Sequence, residues 1–344
     1  MHTKKIKIYI KKIKIYIKKI KEILFLNSLN NLLTILLIST IFILFLQSFS
    51  WFIFNSKWSV VTTNIPLFAF GTFPEGQRWR PIIWIISLLL ISLLSIIPPK
   101  WKWLRKNLLI TWIGMIPLGI FLLYGGLGLQ SVMSRNFGGL TLTIFLTICS
   151  SIFALPIGIG LAFCRQSSLF VVKKLSSIYI DSMRAVPLIA VLFFGQLMIP
   201  LFLPLGLEID RVWRAIFAFT LFVSAYIAED IRGGLQAIPN TQIESAKSLG
   251  LNQLQIIRFI LIPQSLQIAL PALTNQAIGL FQNTSLMSIL GLVELLGIGR
   301  SILANPKFIG QYIEVYIWLA SVYWMICMIL ALMAKYLEKR LKIA

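Results

Sequence analysis

Eight apolar stretches, several near or above the roughly 18 residues that cross a bilayer core as helix, leave this chain few ways to fold. They lie at about 32–54, 81–98, 108–128, 139–163, 178–204, 212–232, 266–298 and 313–335. Hydrophobic residues make up 58% of the 344, and charged residues only 12%, against about 25% in a soluble domain. The expected fold class is an all-α integral membrane protein with about eight transmembrane helices. The seventh stretch is long and holds Pro271 and Gly279, so a broken or tilted helix is expected there.

The net charge of +21 is carried in basic blocks at the ends of the apolar stretches. Such blocks orient membrane helices, and nucleic-acid binding is set aside. Eight spans put both termini on one side. The segments on that side (1–31, 99–107, 164–185, 229–264 and 335–344) hold 24 of the 32 Lys and Arg residues, and nine lysines precede the first stretch. Both termini are therefore expected in the cytoplasm. Residues 4–23 carry a near-repeat, Ile6-Lys-Ile-Tyr-Ile-Lys-Lys then Ile13-Lys-Ile-Tyr-Ile-Lys-Lys. A helix lying on anionic lipid and a low-complexity basic anchor both fit it. The run over 32–54 is too long for a cleaved signal, and no small-x-small site follows it. A retained first transmembrane helix is expected.

Catalytic chemistry finds little to work with. His2 is the one histidine, and Cys149, Cys164 and Cys327 sit in or beside apolar stretches without a C-x-x-C pair. Packing is their plain role, and no metal site is expected. No G-x-x-x-x-G-K-[ST] loop is present, so ATP is not expected to bind this chain.

The character of the spans changes near residue 137. The first three are bulky and aliphatic, whereas from Gly138 onward Thr, Ser, Asn, Gln and Glu enter them. Polar groups are costly in hydrocarbon and turn toward protein or a water-filled path. A pathway is therefore expected within 138–336, with Asn275, Gln276, Asn283, Thr284, Ser285 and Ser288 as candidates. As an α-helix, Thr284 and Ser288 share a face. Hydrogen bonds between helices are the competing role for each residue alone. Near cytoplasmic ends, Glu229 with Arg232 and Asp181 with Arg184 have pairing spacing, as structural pairs or as gate contacts. Glu294, near the outer end of its stretch, is expected to meet a binding protein or solvent.

Between the sixth and seventh stretches lies a polar segment that no bilayer would hold, Pro239-Asn-Thr-Gln-Ile-Glu-Ser-Ala-Lys-Ser-Leu-Gly-Leu, leading to Ile260-Leu-Ile-Pro263. Thr241-Gln-Ile-Glu244 reads as a capping box. Small Ala246 leaves room for another surface, and Gly250 permits a left-handed turn. A second short helix is expected over 252–262, ended by Pro263. Two helices turning on a glycine make a rigid knob.

The pattern Glu244-x-Ala246-x-x-x-Gly250, followed after nine residues by Ile260-x-Ile262-Pro263, resembles the ATPase-docking loop of permease subunits in polar-amino-acid ABC importers, the histidine and glutamine permease family. Gly138-Gly-Leu-Thr-Leu-Thr143 resembles the opening of that family's core. Tyr179-x-Asp-x-x-Arg184-x-x-Pro187-Leu188 resembles its Y-x-E-x-x-R-G-T-P-L stretch. Ala225-Tyr-Ile-Ala-Glu229-Asp-Ile-Arg232-Gly-Gly234 and Asn283-Thr-Ser-Leu286 resemble two more. Ser245 departs from the family's E-A-A triplet, Ile262 replaces Leu, and Gln282 stands where Lys is frequent, which weakens any inference of an acidic substrate.

The resemblance implies a type I importer permease. Its five-helix core would cover 138–336 with the coupling loop at 239–263. Three additional helices would cover 32–137, between a basic cytoplasmic segment 1–31 and a basic tail 337–344. It implies a subunit that catalyses nothing and couples through Glu244, Ala246 and Gly250 to a separate ATPase that holds ATP and magnesium. It further implies an extracytoplasmic solute-binding protein, a bacterial inner-membrane location, and a second permease. The extended form of this chain favours a heterodimer over two copies. The alternatives are a self-sufficient secondary amino-acid transporter, which would show inverted repeats and a midplane charge, and a membrane enzyme, for which no nucleophile–base pair is evident.

Overall fold

The computed structural model describes Lys14 and residues 28–96, 102–204 and 206–343. The Lys/Ile repeat lies outside these apart from Lys14. Residues 1–58 and 59–344 form two compact units. In the first, helix α1 (Ser28–Ser50) runs into a π turn, Trp51–Asn55. Its apolar side chains, from Leu32 to Phe54, are exposed all round. A helix with no polar face belongs in lipid or in a core.

The second unit begins with two short helices, α2 (Ser59–Thr63) and α3 (Ile65–Phe70). Longer ones follow, α4 (Trp79–Ile96) and α5 (Lys102–Tyr124). Fully buried Trp84 fixes this part: its indole N–H donates to the Met115 carbonyl at 3.1 Å, and its ring meets Phe145 edge-on at 5.6 Å. Phe145 belongs to α6 (Gly139–Arg165). The chain continues through α7 (Phe170–Ala185), α8 (Leu188–Phe193), a π turn Phe194–Met198, and α9 (Ile199–Phe202). Next come α10 (Arg211–Gln236), α11 (Asn240–Ser248), α12 (Gln253–Ile256), a π turn Ile257–Leu261 and α13 (Ile262–Asn283). A 3-10 segment (Thr284–Leu290), α14 (Leu295–Leu303) and α15 (Tyr312–Ile343) complete it.

Helix α10 is the centre, packed against α6, α7 and α13. Small residues allow the approach: a Cβ on Gly234 would lie 2.5 Å from the Ser265 carbonyl oxygen of α13. Membrane helices, which gain nothing from expelling lipid, associate through such close packing.

Among the described residues six helices are long and apolar enough to cross a membrane: Asn30–Asn55, Glu75–Ser95, Gly139–Arg165, Arg211–Gln236, Gln253–Leu290 and Tyr312–Lys339. The stretch expected at 108–128 is a shorter apolar helix, Ile110–Tyr124, stopped by Gly125 at φ 88°. The fifth stretch is not one span over 178–204. It is two pieces, Phe170–Ala185 and Leu188–Phe202, bent by 104°, and counted together they make a seventh span. Pro187 is the cause: its ring bars the preceding residue from the helical region, and Val186 is extended at φ −89°, ψ 138°.

The seventh stretch is shifted as well. It does not run to 298 but ends at Gly291, left-handed at φ 85°. At its other end Pro263 does not stop the connector's second helix. The helix passes through it, because the π turn before it pairs the Ile262 amide with the Ile257 carbonyl. That extra residue opens the ladder where the proline has no N–H to give and its ring needs space. The same device precedes Pro200, where the Ile199 amide bonds the Phe194 carbonyl.

Candidate functional site

The polar connector forms the knob the sequence called for, with a different start. Helix α11 begins at Asn240 with Pro239 as its cap and no side-chain cap bond, so Thr241 lies inside the helix and Thr241–Glu244 is not a capping box. The capping box of this region is Asn252 with Gln255, whose side chains each accept from the other's backbone N–H at 2.9 Å. Gly250 turns the chain at φ 77°. Its amide bonds Lys247 O at 2.9 Å, and the Leu251 amide bonds Ala246 O at 3.1 Å. These are the two bonds of a Schellman ending, which needs a left-handed residue at this position.

Ala246 is buried against its own chain, at 3% exposure. Leu249, Leu254 and Phe259 are the exposed apolar groups of the connector, and Glu244 is exposed beside them. A bond from Gln264 Nε2 to Gln242 Oε1 at 2.8 Å ties α11 to the start of α13. The knob is therefore fixed to the helix that carries Asn275, Gln276 and Asn283.

Beside it, at the same end of α10, lies an ion cluster. Glu229 accepts from Arg232 Nε at 2.9 Å, as the spacing suggested. Asp181 does not take Arg184. It pairs with Arg165 at 3.0 Å, while Arg184 stands 3.8 Å from Glu229 and Arg165 3.5 Å from it. Glu229, the less exposed carboxylate (21% against 58%), draws the arginines because charges interact more strongly away from water. Arg165 was absent from the sequence expectation, and its position at the end of α6 was the available signal. The next carboxylate, Asp230, turns to α13 and accepts from Gln276 Nε2 at 3.0 Å.

The pathway candidates divide. Asn275 and Asn283 are exposed, as is Gln282. Thr284 is fully buried, and its hydroxyl bonds Phe281 O at 2.7 Å. Ser285 and Ser288 bond carbonyls three residues back. They lie in a 3-10 segment, where residues four apart diverge by about a third of a turn, so Thr284 and Ser288 do not share a face. Glu294 does not meet solvent in the single chain. It is fully buried, caps α14 by accepting from the Leu296 and Gly297 amides at 2.9 Å, and accepts from Tyr323 at 3.1 Å.

Comparison with known proteins joins these features. The family model described as binding-protein-dependent transport system inner membrane component matches residues 154–343. The Escherichia coli inner membrane amino-acid ABC transporter permease protein YhdY is 40% identical over 287 residues, covering 82% of this chain and 77% of the relative. The Rhodobacter capsulatus glutamate/glutamine/aspartate/asparagine transport system permease protein BztC is 35% identical over 295 residues, covering 82% and 67%. A solved amino acid ABC transporter, crystallised with histidines, aligns with a TM-score of 0.53 at 27% identity, over 67% of this chain and 98% of that one.

Proposed function

We propose, because this chain belongs to the family of binding-protein-dependent transport system inner membrane components, that it is the permease subunit of an ATP-driven amino-acid importer, coupled through residues 239–263 to an ATPase on a separate polypeptide. The observation that carries the coupling is the connector itself. It is a polar knob with exposed Leu249, Leu254 and Phe259, stiffened by its Schellman turn and pinned to α13. Apolar groups on a rigid projection suit insertion into a cleft of a partner. ATP and magnesium belong to that partner, whose closure would press two such knobs together and turn the helices they are pinned to.

The protein is a multi-pass inner-membrane subunit. Both termini and the connector face the cytoplasm, as the basic blocks favour. Asn275, Gln282 and Asn283 lie within a membrane-spanning helix yet are exposed in the single chain. Amides do not face lipid without cost, which supports a second permease packed opposite, with the path between the two. The heterodimer is favoured over two copies. Glu229, with its three arginines, closes the cytoplasmic end of that path as a gate contact. A binding protein delivers the substrate from the other side; of the relatives, BztC is named for glutamate, glutamine, aspartate and asparagine. The alternative of a self-sufficient secondary carrier is not supported, since the relatives are ABC permeases.

A mild-detergent pull-down of the tagged chain from its native membranes, with partners identified by mass spectrometry, tests this. Recovery of a P-loop ATPase, lost on changing Leu249 and Leu254 to Asp, is expected. Recovery of the chain alone, still transporting under an ion gradient, would overturn it.

A further inference from the structure

At the far end of α10 from the connector lies a cavity of about 790 Å³, within the roughly 300–1,000 Å³ usual for small-molecule sites. The 26 residues of α10 span about 39 Å, so cavity and connector lie at opposite ends of one helix. One wall comes from the region that precedes the core, with Tyr124 and Arg135. The other comes from the chain entering α10, with Glu208, Asp210, Arg211 and Arg214. The two walls are joined: Tyr124 donates to Asp210 Oδ1 at 3.2 Å, and Asp210 also accepts from the Val212 amide at 2.9 Å.

The charges are arranged for a ligand that carries both signs. Arg135, Arg211 and Glu208 are exposed. Arg214 is held by a bond from Nη1 to the Gln196 carbonyl at 2.8 Å, but its buried Nε has no partner among the described residues. An orphaned guanidinium donor is costly to bury, and an acceptor brought in from outside would relieve it. A simple anion would be opposed by the two carboxylates, and a simple cation by the three arginines. A zwitterion satisfies both sets.

We propose that this cavity is a loading site for a free amino acid. The α-carboxylate is taken by Arg135, Arg211 and Arg214, in the charge-assisted geometry that guanidinium groups favour. The α-ammonium is taken by Glu208 and Asp210. The site reads what all amino acids share and leaves the side chain free, so it holds substrate without choosing among side chains. It also gives the chain ahead of the core a task, since α5 ends in Tyr124 and the turn Ser134–Asn136 supplies Arg135. The inference rests on the permease reading for one point, that the cavity faces the side from which substrate arrives.

The test is equilibrium binding of a radiolabelled mixture of the protein amino acids to the purified full chain in lipid nanodiscs, without ATPase. Saturable binding is expected. It should weaken by about tenfold or more in Arg135→Gln with Arg211→Gln, the loss of charge-assisted contacts, and also in Glu208→Gln alone, which lies on an exposed residue and leaves folding intact. The methyl ester of L-glutamine, lacking the carboxylate, should fail to compete. Absence of binding, binding indifferent to these changes, or binding lost instead in Asn283→Ala would overturn the proposal. ATP-driven uptake by the reconstituted complex, measured alongside, separates the two readings. Uptake without binding at this cavity refutes the loading site alone, and no uptake by the complex refutes the permease.

Discussion

The two ends of the helix bundle each hold a carboxylate that links several helices, and they hold it in opposite ways. At the connector end Glu229 is shared by Arg165, Arg184 and Arg232 at 2.5–3.8 Å, and all these side chains remain partly exposed. At the other end Glu294 is fully buried and held by two amides and a hydroxyl, with no cation against it among the described residues. Partly solvated ion pairs are worth little each and exchange readily. A desolvated carboxylate bonded to backbone is costly to disturb. The bundle is therefore stiff where α14 closes it and able to rearrange where the motor would push.

The largest effect should come from Glu294→Ala. It removes a helix cap and the acceptor of the Tyr323 hydroxyl, for a loss of about 3 kcal/mol, read as a drop in the thermal unfolding midpoint in detergent. Unchanged stability would erase the contrast between the ends. Gly250→Val comes next. No neighbour lies within 4 Å of a Cβ there, so its cost is backbone strain of about 1–2 kcal/mol at φ 77°. The protein should still insert, while ATP-driven uptake falls about tenfold, the equivalent of about 1.4 kcal/mol.

Raising salt from 0.15 to 1 M shortens the screening length from about 8 to about 3 Å. Amide exchange should then quicken in α7 and at the end of α10 but not in α14, and equal acceleration at both ends would contradict the assignment. Smallest of all, Asp181→Asn should change stability by no more than about 0.5 kcal/mol, since its carboxylate is 58% exposed.

Much of this was legible in the sequence where one local rule acted alone. Gly250 after a polar helix gave the left-handed ending, and Glu229–Arg232 at three apart gave the pair. Where two local rules competed, the sequence misled. The apolar run over 178–204 concealed the break that Val186-Pro187 imposes, because hydropathy reports burial in lipid and not backbone direction. Pro263 pointed to a helix end, but the π turn before it absorbed the ring. Thr284 to Leu290 tightened into a 3-10 segment, which moved Ser288 off the face of Thr284. Distance in sequence hid the rest: Glu294 meets Tyr323 29 residues on, and Asp181 meets Arg165 16 residues back. No periodicity reports such partners, since tertiary packing chooses them.

The measurement that bears most directly on the central claim is paired ATP hydrolysis and amino-acid uptake in vesicles holding the assembled complex, with the native chain and with Gly250→Val. A chain driven through residues 239–263 should keep hydrolysis on the partner and lose most of its uptake when the turn is strained. Full uptake by the Gly250→Val complex would mean that the motor does not act through this connector.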